Sequence, residues 1–353
     1  MFRSRVIAAF VMASALFTGA GPFPARAADP SPVTLPYVDA PAGGTALNHV
    51  PHLMVSVGSG PARRAVLDTG STGLVIAAKA IPDFEHLPRI GPRSITYRSS
   101  GRVVHGVMVL VPVTITGADG TSVTTTPIPV LATQWRDCLP HARRCVPARD
   151  LNEGAMIGIG YGHEATTAKV SGAAKNPFLH VAGMDAAGPL RPGYVVTRNA
   201  VTVGLPPTLP EGFSLVRLDR QRGNGDWSLP PACVRLDGAK PLCGPLSVDT
   251  GIPDMILTLP YAVRRRLAGP RGYLPPPNRI DVSVGRGAEP AAQYVFSIGA
   301  RDSASPPGTD PRRVLLAAEP HPIRVNTGLR FLNAYDIIYD PAGGQAGYRP
   351  HPL

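Results

Sequence analysis

The chain is short of cysteine, aromatic residues and acidic side chains. Its four cysteines form no CxxC pair and its nine histidines form no HExxH, so the usual zinc-binding spacings are missing. There is no GxSxG and no reactive Cys-His pattern, which leaves a covalent-nucleophile hydrolase without support. Segments of helical period are few. Instead, 41 prolines and 38 glycines are interspersed among Val, Ile and Leu runs, the texture of short strands joined by turns. An all-β chain is expected. Lys and Arg outnumber Asp and Glu by 35 to 24, for a formal net charge of +11. The arginine runs, such as Arg63-Arg64 and Arg264-Arg265-Arg266, are scattered and lack interleaved aromatics, so a solvated basic surface is expected rather than a nucleic-acid partner.

Residues 1–27 carry Arg3 and Arg5, then the apolar stretch Val6 to Gly19, then Ala25-Arg26-Ala27. Charge, apolar core and small residues in that order predict a secretory signal peptide cleaved after Ala27, and hence export to the periplasm or beyond. No later apolar run approaches the roughly 18 residues of a membrane span. In an exported chain an even cysteine count reads as disulfides. Cys138 with Cys145 and Cys233 with Cys243 are close enough for each pair to close one surface loop.

The most informative motif is Asp-Thr-Gly, present twice: Ala65-Val66-Leu67-Asp68-Thr69-Gly70-Ser71 and Pro245-Leu246-Ser247-Val248-Asp249-Thr250-Gly251. Each copy follows an apolar run that reads as a buried strand and ends in a residue free to turn sharply. Two such loops could present their carboxylates to each other. Carboxylates a few ångströms apart cannot both ionise; sharing one proton, they can act as base and acid toward a water and a carbonyl. Peptide-bond hydrolysis suits that pair. The surroundings repeat too. The strand His52 to Val57 precedes Asp68, strands over 213–218 and 232–236 precede Asp249, and a Gly-containing segment follows each motif, at 155–160 and 325–332. Pro206-Pro207 to Gly212 reads as a connector. The predicted division is therefore a leader over 1–27, an N-terminal β lobe over 28–206 and a C-terminal β lobe over 207–353. The best helix signal is Pro260 to Leu267, with Gly269 beyond it.

Taken together these motifs resemble the pepsin-like aspartic peptidases, over nearly all of the chain beyond the leader. Asp68-Thr69-Gly70-Ser71-Thr72-Gly73 is close to that family's first active-site loop. Ser94-Ile95-Thr96-Tyr97, with Ser99, Gly101 and then Gly106-Val107, is similar to its β-hairpin flap, and Met156-Ile157-Gly158 to the segment threading beside the first loop. Phe331 to Asp340 with Gln345 to Tyr348 resembles the closing strands. The resemblance implies a bilobal fold with a cleft between the lobes and catalytic Asp68 and Asp249. Thr69, Gly70, Ser71, Thr250 and Gly251 would support the two aspartates, and Tyr97, Ser99 and Gly101 would sit in a substrate-covering flap. It also implies no cofactor or metal, a peptide or protein substrate, and a monomer.

The chain departs from the family pattern at three places. Ile252 follows the second motif where Ser or Thr is usual, Val75 stands where the flap tyrosine usually meets a Trp, and the second threading segment reads Asn326-Thr327-Gly328. Ile252 predicts that the outer oxygen of Asp249 lacks a hydrogen-bond donor, making Asp249 the harder aspartate to ionise. The same departure supports an alternative expectation, a catalytically impaired pepsin fold serving as a binding or inhibitor protein.

Overall fold

The computed structural model describes residues 31–352 except 98–99, 141, 143, 153, 165–169, 288, 300–305 and 319–322. The expected leader and Ser99 lie outside the described residues. The fold is all-β and sheet-rich. Its two α-helices among the described residues are short, Gly172–Lys175 and Tyr261–Leu267. The second is the helix predicted at Pro260, with that proline at its N-cap.

A ten-stranded sheet holds the first Asp-Thr-Gly motif. Its order runs Arg89–Tyr97, Arg102–Val111, Ile128–Cys138, Thr72–Ala77, Ala155–Ile159, Arg63–Asp68, His52–Val57, Val113–Thr116 and Ser122–Thr124, with Ala148–Arg149 added beside Ile128–Cys138. Thr72–Ala77 is buried at every position because it has a strand on each side and a covered face above and below, whereas His52–Val57 alternates buried with half-buried residues. A seven-stranded sheet holds the second motif, in the order Ala292–Ser297, Arg279–Val284, Pro231–Leu236, Leu242–Ser247, Arg324–Asn326, Met255–Leu259 and Val314–Ala318.

The third sheet joins the two regions of sequence. Val33–Pro36, Ala200–Leu205 and Arg191–Val196 continue directly into Tyr335–Asp340, Gln345–Pro350 and Ser214–Arg217. Tyr194 pairs with Tyr339 across the junction. One large apolar cluster includes Leu53, Leu67, Leu74 and Ile157 together with Leu329, Leu332 and Tyr339 from the far end of the chain; another gathers Val234, Leu257, Val282 and Phe331. Full burial of one such aliphatic side chain contributes about 1.5–3 kcal/mol, so these clusters hold the loops between the strands firmly in place.

One expectation is refined here and another is borne out. Residues Leu329–Asn333 form a 3-10 helix, so the closing strand begins at Tyr335 and not at Phe331. Asn333 explains the turn: it accepts the backbone N–H of Leu47 at 2.7 Å and donates to the Leu47 carbonyl at 3.0 Å, tying the segment to the other end of the chain. Both disulfides form as paired by position, Cys138 with Cys145 and Cys233 with Cys243.

Candidate active site

Each aspartate leaves a strand whose neighbour is contributed by a later part of the chain. Ala155–Ile159 runs parallel to Arg63–Asp68 and antiparallel to Thr72–Ala77, with Gly158 level with Asp68. Arg324–Asn326 does the same in the second region, parallel to Leu242–Ser247 and antiparallel to Met255–Leu259. The threading strand fixes the turn from both sides. It also explains Gly158, where a Cβ would come within 2.9 Å of the Gly73 carbonyl oxygen and of the Ser71 and Thr72 carbonyl carbons. Gly160 donates to the Ser71 carbonyl at 2.7 Å, and the Thr72 hydroxyl donates to the Gly160 carbonyl at 2.6 Å.

The two loops meet through their threonines. The Thr69 N–H donates to Thr250 Oγ1 and the Thr250 N–H donates to Thr69 Oγ1, both at 3.0 Å. Each hydroxyl in turn donates across the junction: Thr69 Oγ1 to the Val248 carbonyl and Thr250 Oγ1 to the Leu67 carbonyl, both at 2.5 Å. Both threonines are buried. A buried polar group is retained cheaply only when fully bonded, and here every backbone and hydroxyl group named has its partner in the opposite loop.

That junction places the carboxylates face to face. A Cβ at Gly70 would strike the Asp249 carboxylate, and one at Gly251 would lie 2.7 Å from Asp68 Oδ1. Glycine is required at both places by close approach and not by backbone angle. The inner oxygens are held alike: Gly70 N–H donates to Asp68 Oδ1 at 2.8 Å and Gly251 N–H to Asp249 Oδ1 at 3.0 Å. The outer oxygens are held differently. Ser71 Oγ donates to Asp68 Oδ2 at 2.5 Å, while Asp249 Oδ2 receives Asn326 Nδ2 at 2.8 Å.

The last bond corrects an expectation. Asp249 was to lack a donor on its outer oxygen because Ile252 has none to give, and the donor comes instead from the threading strand. The carboxyl of Asp249 is still raised above the ordinary aspartate value, but for other reasons: burial first, then the charge of Asp68 within hydrogen-bonding reach, with Asn326 pulling the other way. Sequence reasoning identified the segment Asn326-Thr327-Gly328 as a departure and missed what its first residue does.

The remaining candidates are placed as follows. Arg89–Tyr97 and Arg102–Val111 form an antiparallel hairpin in which Tyr97 is opposite Arg102. Gly101, at φ 69°, donates to the Tyr97 carbonyl at 2.8 Å and closes the turn. Tyr97 packs against the cluster of Val75, Val104, Met108 and Leu131, and burial, reinforced by the nearby charge of Asp68, raises its phenol. Ile128–Cys138 extends alongside the hairpin as far as Arg102, opposite Cys138, and the Leu139 N–H donates to the Gly101 carbonyl at 2.8 Å. One neighbour was not foreseen: His163, whose Nε2 lies 3.2 Å from the Thr69 carbonyl oxygen, and whose imidazole is lowered chiefly by burial. A surface hollow of about 650 Å³ lined by Phe84, Trp135 and Asp150 includes neither Asp68 nor Asp249. Among the described residues no group of three or more His, Cys, Asp or Glu side chains is gathered as a metal site requires. Set against known proteins, the chain matches no family model and no curated protein.

Proposed function

We propose that the protein is a two-lobed, pepsin-like aspartic endopeptidase, with lobes over 28–206 and 207–353 and a peptide-binding cleft between them. The observation that carries this reading is the paired loop: two Asp-Thr-Gly turns locked by reciprocal threonine bonds, each glycine backed against the other loop's carboxylate. A pair of carboxyls so placed holds one proton between them. Asp249, driven toward its neutral form, gives that proton to the scissile carbonyl oxygen, while Asp68 takes a proton from the attacking water. The water oxygen bonds to the carbonyl carbon, giving a tetrahedral diol. Its collapse breaks the C–N bond as Asp68 gives its proton to the amine nitrogen and Asp249 takes one from a diol hydroxyl, which leaves the carboxylic acid product and returns the pair to its starting state. Tyr97 and its hairpin cover the bound chain and exclude water. The twofold pattern of donors argues for catalysis over a binding role, since both outer oxygens are held.

The test is hydrolysis of a mixed peptide library by the purified protein from acid to neutral pH, with and without a statine-type transition-state mimic. Cleavage blocked by the mimic is expected. Asp68→Asn and Asp249→Asn should each lower kcat by about 10²–10⁴-fold or more while the folded circular dichroism spectrum is kept. Tight binding of the mimic without any cleavage would instead favour the impaired binding protein.

A further inference from the structure

The two aspartate loops solve the same problem with exchanged parts. Three residues beyond Asp68 stands Ser71, a donor; three beyond Asp249 stands Ile252, which has none. On the threading strands the order is reversed. Gly158 is level with Asp68, which puts Met156 two residues before that point. Asn326 is level with Ser247, likewise two residues before the point level with Asp249. Met156 and Asn326 therefore occupy equivalent positions. In the first loop the apolar residue is on the threading strand, with Met156 Sδ 3.4 Å from Ser71 Oγ. In the second the apolar residue is on the loop, and the threading strand carries the donor.

We propose that Asn326 is a positioning residue that holds the outer carboxylate oxygen of Asp249 as Ser71 holds that of Asp68. The donor duty has moved from the loop to the threading strand. The orientation of the amide follows from its partners: Asn326 Oδ1 accepts the Gly328 N–H at 3.0 Å, which leaves Nδ2 to face Asp249. Its backbone is fixed between Ser247 on one side and Ile256 on the other, so the donor is held on a strand. A purely structural asparagine, needed only to shape the turn at Gly328, predicts no effect on Asp249 beyond stability. The charged and titratable groups in this neighbourhood are Asp68 on the opposite loop, Tyr97 on the hairpin and His163 beside Thr69, both toward Asp68, and Arg324 on the strand of Asn326. All of them are unchanged in the variants below.

The mechanistic consequence rests on the peptidase reading, but the primary test does not. The protein is labelled with [4-¹³C]aspartate and the Asp249 carboxyl, assigned by its loss in Asp249→Asn, is titrated by NMR. A hydrogen bond to the charged form lowers a carboxyl's pKa, so Asn326→Leu should move the Asp249 step upward by about one to two pH units. Ile252→Thr should shift it little in the wild type and bring back at least half of the displacement in Asn326→Leu, because only there is the outer oxygen vacant. Should Asn326→Leu fail to fold, Asn326→Met places on this strand the residue that the other threading strand carries at the equivalent position, removes the amide donor without adding a charge, and should also raise the step. An unmoved step in the folded variant, or equal effects of Ile252→Thr in both backgrounds, would overturn the proposal. In the kinetic arm, Asn326→Leu should lower kcat with little change in KM and carry the alkaline limb of kcat/KM to higher pH. If the wild type cleaves no peptide while the NMR step still moves as expected, the peptidase reading fails and the positioning role stands. If the protein cleaves peptides and the step does not move, the reverse holds.

Discussion

Asp249 is held by influences of opposite sign. Burial and the charge of Asp68 disfavour its ionised form, while Asn326 and the Gly251 N–H favour it, and the first two prevail. In the unfolded chain the same carboxyl ionises near the ordinary aspartate value of about 3.9. The folded chain retains the proton to higher pH and so binds more protons over that interval. This contribution to stability is fully present below the unfolded value and is lost as pH rises through the folded one. Asp249→Asn is neutral at every pH and cannot lose it. The melting temperature of the variant relative to wild type should therefore climb from about pH 4 upward, as read by scanning calorimetry over a pH series. A difference that stays constant with pH would mean that Asp249 ionises in the folded protein as it does in the unfolded one.

At the scale of elements, the hairpin Arg89–Tyr97/Arg102–Val111 is more than a free β-ribbon. Its second strand pairs with Ile128–Cys138 along its whole length, and the loop closed by Cys138 and Cys145 meets the hairpin turn at Gly101. A Cβ at Gly101 would strike Ala142 of that loop. The disulfide therefore restrains the turn from below. Replacing both cysteines by serine should speed hydrogen exchange at the Leu139 and Gly101 amides while leaving central amides such as that of Leu131 protected, since local openings of this kind need not unfold the sheet. Equal exchange at all these amides in the two proteins would remove the restraint from the account. Much at this scale was legible in the sequence, because the signal was local: two copies of one tripeptide after apolar runs, alternating strands, and cysteines close in sequence. The donor on Asn326 was not legible. Its bond to Asp249 spans 77 residues, and only the register of a threading strand brings the two together. The same limit hid His163, which reaches Thr69 across 94 residues, and the 3-10 turn at Leu329–Asn333, which is tied down by Leu47 at the other end of the chain.

For the whole molecule, the question is how regions far apart in sequence are held so that two carboxylates keep one spacing. The six-stranded sheet supplies the broad connection, carrying strands from both regions side by side, and the threonine junction supplies the fine one. The junction has four hydrogen bonds in a buried place, linking Thr69 and Thr250 to each other and to Val248 and Leu67. Thr69→Val leaves the Thr250 N–H and the Val248 carbonyl without partners, each costing about 1–3 kcal/mol if it stays dry. Thr250→Val does the same to the Thr69 N–H and the Leu67 carbonyl. Once one threonine is gone the loops can part and admit water, so the second loss meets a junction already loosened. The double variant should therefore be less destabilised than the two single variants added together, with a coupling of about 0.5–3 kcal/mol. Urea unfolding of the four proteins measures it. On the proposed peptidase reading, each single variant should also lower the rate of peptide hydrolysis more than it weakens binding of a statine-type mimic, because a change in the gap between Asp68 and Asp249 disturbs proton transfer before it disturbs contacts along a bound peptide. Additivity within about 0.5 kcal/mol would show that the two threonines act independently, and that the spacing of the carboxylates is set by the shared sheet alone.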